Sequence, residues 1–99
     1  MYRVLLVEDE EIELETLRDY IDWEKNGISR VFTARNGRRA LECLEENMAD
    51  IVITDIQMPG MSGIELAETI VRRGYPCKIV FLTGYDDFSY IHSAFQVNA

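Results

Sequence analysis

Basic residues are scarce in this chain: ten lysines and arginines stand against eighteen aspartates and glutamates, a formal net charge of −8. Such a surface repels a nucleic-acid backbone, which excludes direct nucleic-acid binding by this segment and suits a cation or a basic partner instead. Long hydrophobic runs are missing too. The apolar stretches are strand-sized, and no positively charged start precedes a long apolar segment, so neither a membrane span nor a signal peptide is read and a cytoplasmic location is expected. Proline occurs only twice in a chain that is 47% hydrophobic, a composition that excludes a disordered segment. Cysteine also occurs twice, at Cys43 and Cys77, without metal-ligand spacing, and both are read as reduced structural thiols. The single histidine, His92, lacks the acidic or kinase-like surroundings that a phosphohistidine would need. The 99 residues leave room for one domain, spanning 1–99, around one core.

What is present is a regular alternation. An apolar run over 2–7 suits a fully buried strand and leads into the acidic cluster Glu8, Asp9, Glu10 and Glu11, which complements a helix N-terminus. Leu14, Leu17 and Ile21 then recur at helical spacing from about Glu10 to Ile21, with Trp23 expected to cap the packing. After the Asn26-Gly27 turn, Val31 to Ala34 reads as a second strand, and beyond Asn36-Gly37 a helix places Ala40, Leu41 and Leu44 on one face, ending near Asn47. The β-branched run Ile51 to Thr54 reads as a strand covered on both faces. Ser62 and Glu65 have capping-box spacing, and Ile64, Ala67, Ile70 and Val71 form the apolar stripe of a third helix that ends at Gly74. Lys78 to Leu82 reads as a fourth strand, and Asp86 or Asp87 as the cap of a fourth helix carrying Phe88, Ile91 and Phe95. Strict β-α alternation implies a parallel sheet with right-handed crossovers.

Open parallel sheets place their chemistry at the carboxyl edge. Here one strand ends in Glu8 and Asp9, another in Asp55, and a third in Thr83. Carboxylates brought together raise each other's pKa values unless a cation neutralises them. Mg²⁺, a small hard ion that prefers oxygen ligands, is the natural candidate. Asp55 could be ligand, nucleophile or both, since a carboxylate that attacks phosphorus forms an acyl phosphate. Glu10, Glu11 and Glu13 are read as solvated helix caps. Composition and spacing leave the same reading open for Glu8, Asp9 and Asp55.

Three segments carry a resemblance: Val4 to Glu10 with its acidic pair, Asp50 to Gly63 with Asp55 followed by Met58-Pro59-Gly60, and Phe81-Leu82-Thr83-Gly84-Tyr85. The chain resembles a receiver domain of a two-component response regulator, of the CheY-like superfamily, over essentially all its residues. Within that group it is most similar to receivers attached to AraC-type (YesN-type) DNA-binding domains, through Tyr2-Arg3-Val4, Asp22-Trp23 and Gly84 to Phe88. The resemblance implies a flavodoxin-like, doubly wound α/β fold with strand order 2-1-3-4(-5). It implies that Asp55 accepts a phosphoryl group from a sensor histidine kinase and that Thr83 turns inward to bond it. Mg²⁺ would be held by Asp9 and Asp55 directly, by Glu8 through water and by the backbone carbonyl of Gln57. Such a domain is a signalling phosphoacceptor and not an enzyme beyond its own phosphorylation from small donors and its own dephosphorylation. Its switched fourth-helix surface would control a DNA-binding output domain in transcription regulation in a bacterium; Tyr85, Phe88 and Tyr90 are read as core or surface packing, with a place on that partner surface as the alternative.

One departure stands out. The family's lysine at the end of the fifth strand has no counterpart, because Lys78 begins the fourth strand and Lys25 lies in a loop. The fifth βα unit is absent from the chain, so a C-terminally truncated receiver is expected, with an exposed fourth-strand edge that favours a homodimer or a swapped oligomer. The alternative to a switching receiver is a pseudo-receiver, a protein-interaction or dimerisation module independent of phosphorylation. A phosphatase of the aspartate-nucleophile class is disfavoured because Gln57 stands where its second acid would be.

Overall fold

The computed structural model describes residues 1–82. Four strands alternate with three helices: β1 (Tyr2–Val7), α1 (Glu11–Tyr20), β2 (Ile28–Ala34), α2 (Gly37–Glu46), β3 (Ile51–Asp55), α3 (Gly63–Arg72) and β4 (Lys78–Leu82). All described pairings are parallel, in the order β2-β1-β3-β4. This is the flavodoxin-like order expected from the sequence. The segment expected to form a fourth helix, with Thr83, Tyr85, Tyr90 and His92, lies outside the described residues.

Side-chain alternation on β1 divides the core. Leu5 and Val7 face the layer made by α2 and α3, where they pack with Ala40, Leu41, Leu44, Val52, Leu66 and Ile70. Val4 and Leu6 face the other way, toward Leu14 of α1 and Ile28. Trp23 is half-buried against that second cluster, and its indole N–H donates to the carbonyl of Arg18 at 2.8 Å, satisfying one group at the end of α1. Cys77 is buried with its thiol 3.1 Å from the Ala49 carbonyl, and both cysteines are free, with burial pushing each thiol pKa up.

Three sequence expectations shift. β2 begins at Ile28 and not at Val31, because Tyr2 and Arg3 of β1 pair with Ile28 and Arg30 although Ser29 and Arg30 are polar and exposed. An edge strand is defined by its partner more than by its own hydrophobicity. The core face of α3 runs through Gly63, Leu66, Ala67 and Ile70, while Ile64 is half-buried and Val71 is 49% exposed. Ile64 and Val71 flank the buried stripe. β3 is sealed at Val52 and Thr54 but only half-buried at Ile51 and Ile53, since α1 packs on β1 and no other described helix covers that face.

Two of the three described helices carry a side-chain N-cap, and α1, which starts after Glu10, does not. Asn36 caps α2 by accepting from the Arg39 N–H at 2.8 Å, and Ser62 with Glu65 forms a reciprocal capping box on α3. Leu66, which the expected stripe left out, and Val71, which it included, should separate in urea unfolding. Leu66→Ala is expected to cost about 2–5 kcal/mol, whereas Val71→Ala should stay within about 0.5 kcal/mol of the parent chain.

Candidate metal centre

Parallel pairing of β1 with both β2 and β3 brings the carboxyl ends of these strands to one edge. Val7 pairs with Thr54, so the next residues, Glu8 and Asp55, emerge side by side. Lys78, at the opposite end of β4, lies far from this edge, and no lysine joins the site among the described residues. Glu8, Asp9 and Asp55 each bring one carboxylate oxygen within 4.8 Å of the others.

The backbone fixes this loop closely. The Glu8 N–H donates to the Ala34 carbonyl at 3.1 Å, and the Glu8 carboxylate accepts from the Glu10 N–H at 3.2 Å. The Asp55 carboxylate accepts from the Ile56 N–H at 2.9 Å, and its carbonyl accepts from the buried Thr54 hydroxyl at 2.9 Å. The N–H of Gly63 donates to the Ile56 carbonyl at 2.7 Å. A Cβ at Gly63 would collide with the Asp55 carbonyl oxygen and lie 2.9 Å from its carbon, so the first residue of α3 has to be glycine for the helix to close on this strand. Arg35, at the end of β2, directs one guanidinium nitrogen at the Asp9 carbonyl, 3.4 Å away, and another at Glu11, 3.9 Å away. An open cleft of about 500 Å³ next to Asp9 is lined by Thr33, Ala34, Arg35, Asn36 and Arg39.

Electrostatically the cluster is strained. Glu8 is 4% exposed, and its pKa is raised to about 8, chiefly by burial and then by its hydrogen bond to Asp9, with Glu13 and Asp55 adding to the shift. Burial also raises the Asp55 pKa, with Asp9 and Glu13 contributing. Glu13 thus takes part electrostatically in the cluster, where the sequence suggested a solvated cap; helix α1 starts close enough to point its first turn at the site. Gln57 is exposed in the loop after β3, and Thr83 lies outside the described residues. The roles of Thr54, Gly63 and Arg35 were not anticipated. Thr54 and Gly63 lie in a segment that carries the resemblance, whereas Arg35 lies in none of them.

The donor set fits a hard divalent cation. Three carboxylates share one small volume, one of them buried and driven toward protonation, and a cation would remove both the repulsion and the desolvation penalty. Among the described residues this is the one such acidic group.

The response regulator receiver domain family matches residues 4–99, and the chain belongs to it. It is 36% identical over 96 residues to the uncharacterized transcriptional regulatory protein YesN of Bacillus subtilis, covering 97% of this chain and 26% of that protein. It superposes with a TM-score of 0.87 and 31% identity on the crystal structure of a two-component transcriptional regulator AraC from Clostridium phytofermentans, covering 100% of this chain and 77% of that one. The receiver domain of the histidine kinase CKI1 from Arabidopsis thaliana, complexed with Mg²⁺ and BeF₃⁻, is similar with a TM-score of 0.80 at 25% identity over 97% of this chain and 75% of that one. The chain spans between 26% and 38% of the length of the curated relatives it matches. No described helix is long and apolar enough to cross a membrane.

The raised Glu8 pKa has a signed consequence. Between the ordinary value of 4.5 and about 8 the folded chain holds a proton that the unfolded chain has released, so stability without divalent metal falls as pH rises through that window. Metal requires the ionised form, so Mg²⁺ affinity should climb over the same interval. Thermal unfolding from about pH 5 to about pH 9 checks both: the gain in Tm on adding Mg²⁺ should grow with pH, and Glu8→Gln should flatten the metal-free profile.

Proposed function

We propose that this chain is a phosphoacceptor receiver whose Asp55 takes a phosphoryl group from a sensor histidine kinase. The observation that carries the proposal is the convergence of Glu8, Asp9 and Asp55, in a chain of the receiver family, on a volume small enough for one ion. Asp9 and Asp55 would hold Mg²⁺ through their side chains, Glu8 through a bound water and Gln57 through its backbone carbonyl. When bound, the ion would neutralise the carboxylates and offset charge on the transferring phosphoryl oxygens. The similar CKI1 domain, complexed with Mg²⁺ and BeF₃⁻, supports this assignment.

In the proposed step a carboxylate oxygen of Asp55 attacks phosphorus, the bond from phosphorus to the donor breaks, and the donor departs with that electron pair, leaving an acyl phosphate on Asp55. The Ile56 N–H fixes the orientation of the Asp55 carboxylate, and the Thr54 hydroxyl and Gly63 hold the backbone beneath it. Thr83 would donate its hydroxyl to the phosphoryl group and carry the signal onward as a local charge event that biases a two-state element. Similarity to YesN and to the AraC regulator supports transcription control through a DNA-binding output domain.

Incubation with Mg²⁺ and acetyl phosphate, followed by intact mass spectrometry, tests this reading. One phosphoryl adduct is expected, absent without Mg²⁺ and absent from Asp55→Asn. No adduct on the parent chain, or an adduct that persists in Asp55→Asn, would overturn it.

A further inference from the structure

Two glycines open helices here, Gly37 on α2 and Gly63 on α3, and both are buried. Neither has the positive φ that would call for glycine on conformational grounds. Glycine weakens a helix relative to alanine, so its presence at these positions needs a reason in space rather than in backbone freedom. At Gly63 that reason is the Asp55 carbonyl. At Gly37 it is Met61: a Cβ there would lie 2.6 Å from the Met61 sulfur, 2.9 Å from its Cγ and 3.0 Å from its Cβ. The sulfur and Cγ would have to swing aside, while the Met61 Cβ need give only by a few tenths of an ångström. Met61 is packed against the core cluster, so displacing its side chain presses on the loop that carries it.

This contact links α2 to the segment that carries the site. Between Asp55 and Gly63 the chain is fixed at three points: Met58 is 8% exposed in the core, Gly63 abuts Asp55, and Met61 rests on the first turn of α2. Gln57 lies between Asp55 and the buried Met58. We propose that Gly37 and Met61 form a positioning pair that sets the placement of Asp55 and of the Gln57 carbonyl, so that the start of α2 governs divalent-cation affinity without contacting the ion. The proposal rests on the metal-binding reading above. It makes Met61, which packs against the core cluster, a positioning residue as well.

A double-mutant cycle read by Mg²⁺ titration calorimetry tests it, alongside urea unfolding without metal. Gly37→Ala is expected to weaken Mg²⁺ binding roughly tenfold, the scale seen when the support of a metal ligand is disturbed, although alanine favours the helix. Combining it with Met61→Ala restores the missing space and should return the affinity to within about threefold of the parent, a non-additivity expected of residues in contact. Should Gly37→Ala fold poorly, Met61→Phe overfills the same gap from the loop side and should weaken Mg²⁺ comparably. Parent affinity in Gly37→Ala or in Met61→Phe, or simple addition of losses in the double variant, overturns the pairing. A parent chain that does not bind Mg²⁺ at all would instead overturn the metal-binding reading beneath it.

Discussion

Repulsion among three carboxylates at one end of a parallel sheet is the constraint on which the rest of this structure depends. Strands that all run the same way deliver their last residues to one edge, and the pairing of Val7 with Thr54 fixes which residues meet there. Glu8 is carried inside with them, at 4% exposure, far from the water that would stabilise its charge. The fold therefore maintains an unfavourable arrangement that a proton relieves in part and that a divalent cation, in the reading proposed above, would relieve further. Such an arrangement persists only where the surrounding backbone is over-determined.

That over-determination is visible around Asp55. Its carbonyl is held by the Thr54 hydroxyl, its carboxylate by the Ile56 N–H, and the start of α3 closes on it through a residue with no side chain. The capping box of Ser62 and Glu65 starts that helix immediately beyond the loop. On the other side, the loop after β1 is tied to the end of β2 through Ala34 and Arg35. If Asp55 is the phosphoacceptor proposed above, a change of charge there would act on a backbone with little slack and pass to neighbouring elements.

Much of this was legible in the sequence, for physical reasons. Strand-sized apolar runs ending in acids located β1, β3 and their carboxylates, because a parallel strand buried on a helical layer must be apolar and its end must not be. The Asn36-Gly37 break and the Ser62-Glu65 capping spacing placed the starts of α2 and α3 to within a residue. The first half of β2 was not legible, since Ser29 and Arg30 take their strand character from pairing with β1 at an exposed edge. The register of the α3 stripe was misjudged at Val71 because residues flanking a buried face share its periodicity, and only packing decides which of them is covered. The approach of Met61 to Gly37 joins segments more than twenty residues apart, and nothing local in the sequence encodes it. The electrostatic involvement of Glu13 depends on where α1 starts relative to the sheet, which is equally a tertiary fact.

The central claim is that Glu8, Asp9 and Asp55 together form one cation site. Its most direct test is a crystal of this chain grown with Mn²⁺ as a Mg²⁺ substitute, with the metal located by anomalous scattering. The account predicts a single strong peak within coordination distance of the Asp9 and Asp55 carboxylates, with Glu8 reaching it through a water. A strongest peak elsewhere on the acidic surface, with the three carboxylates unliganded at saturating metal, would contradict it.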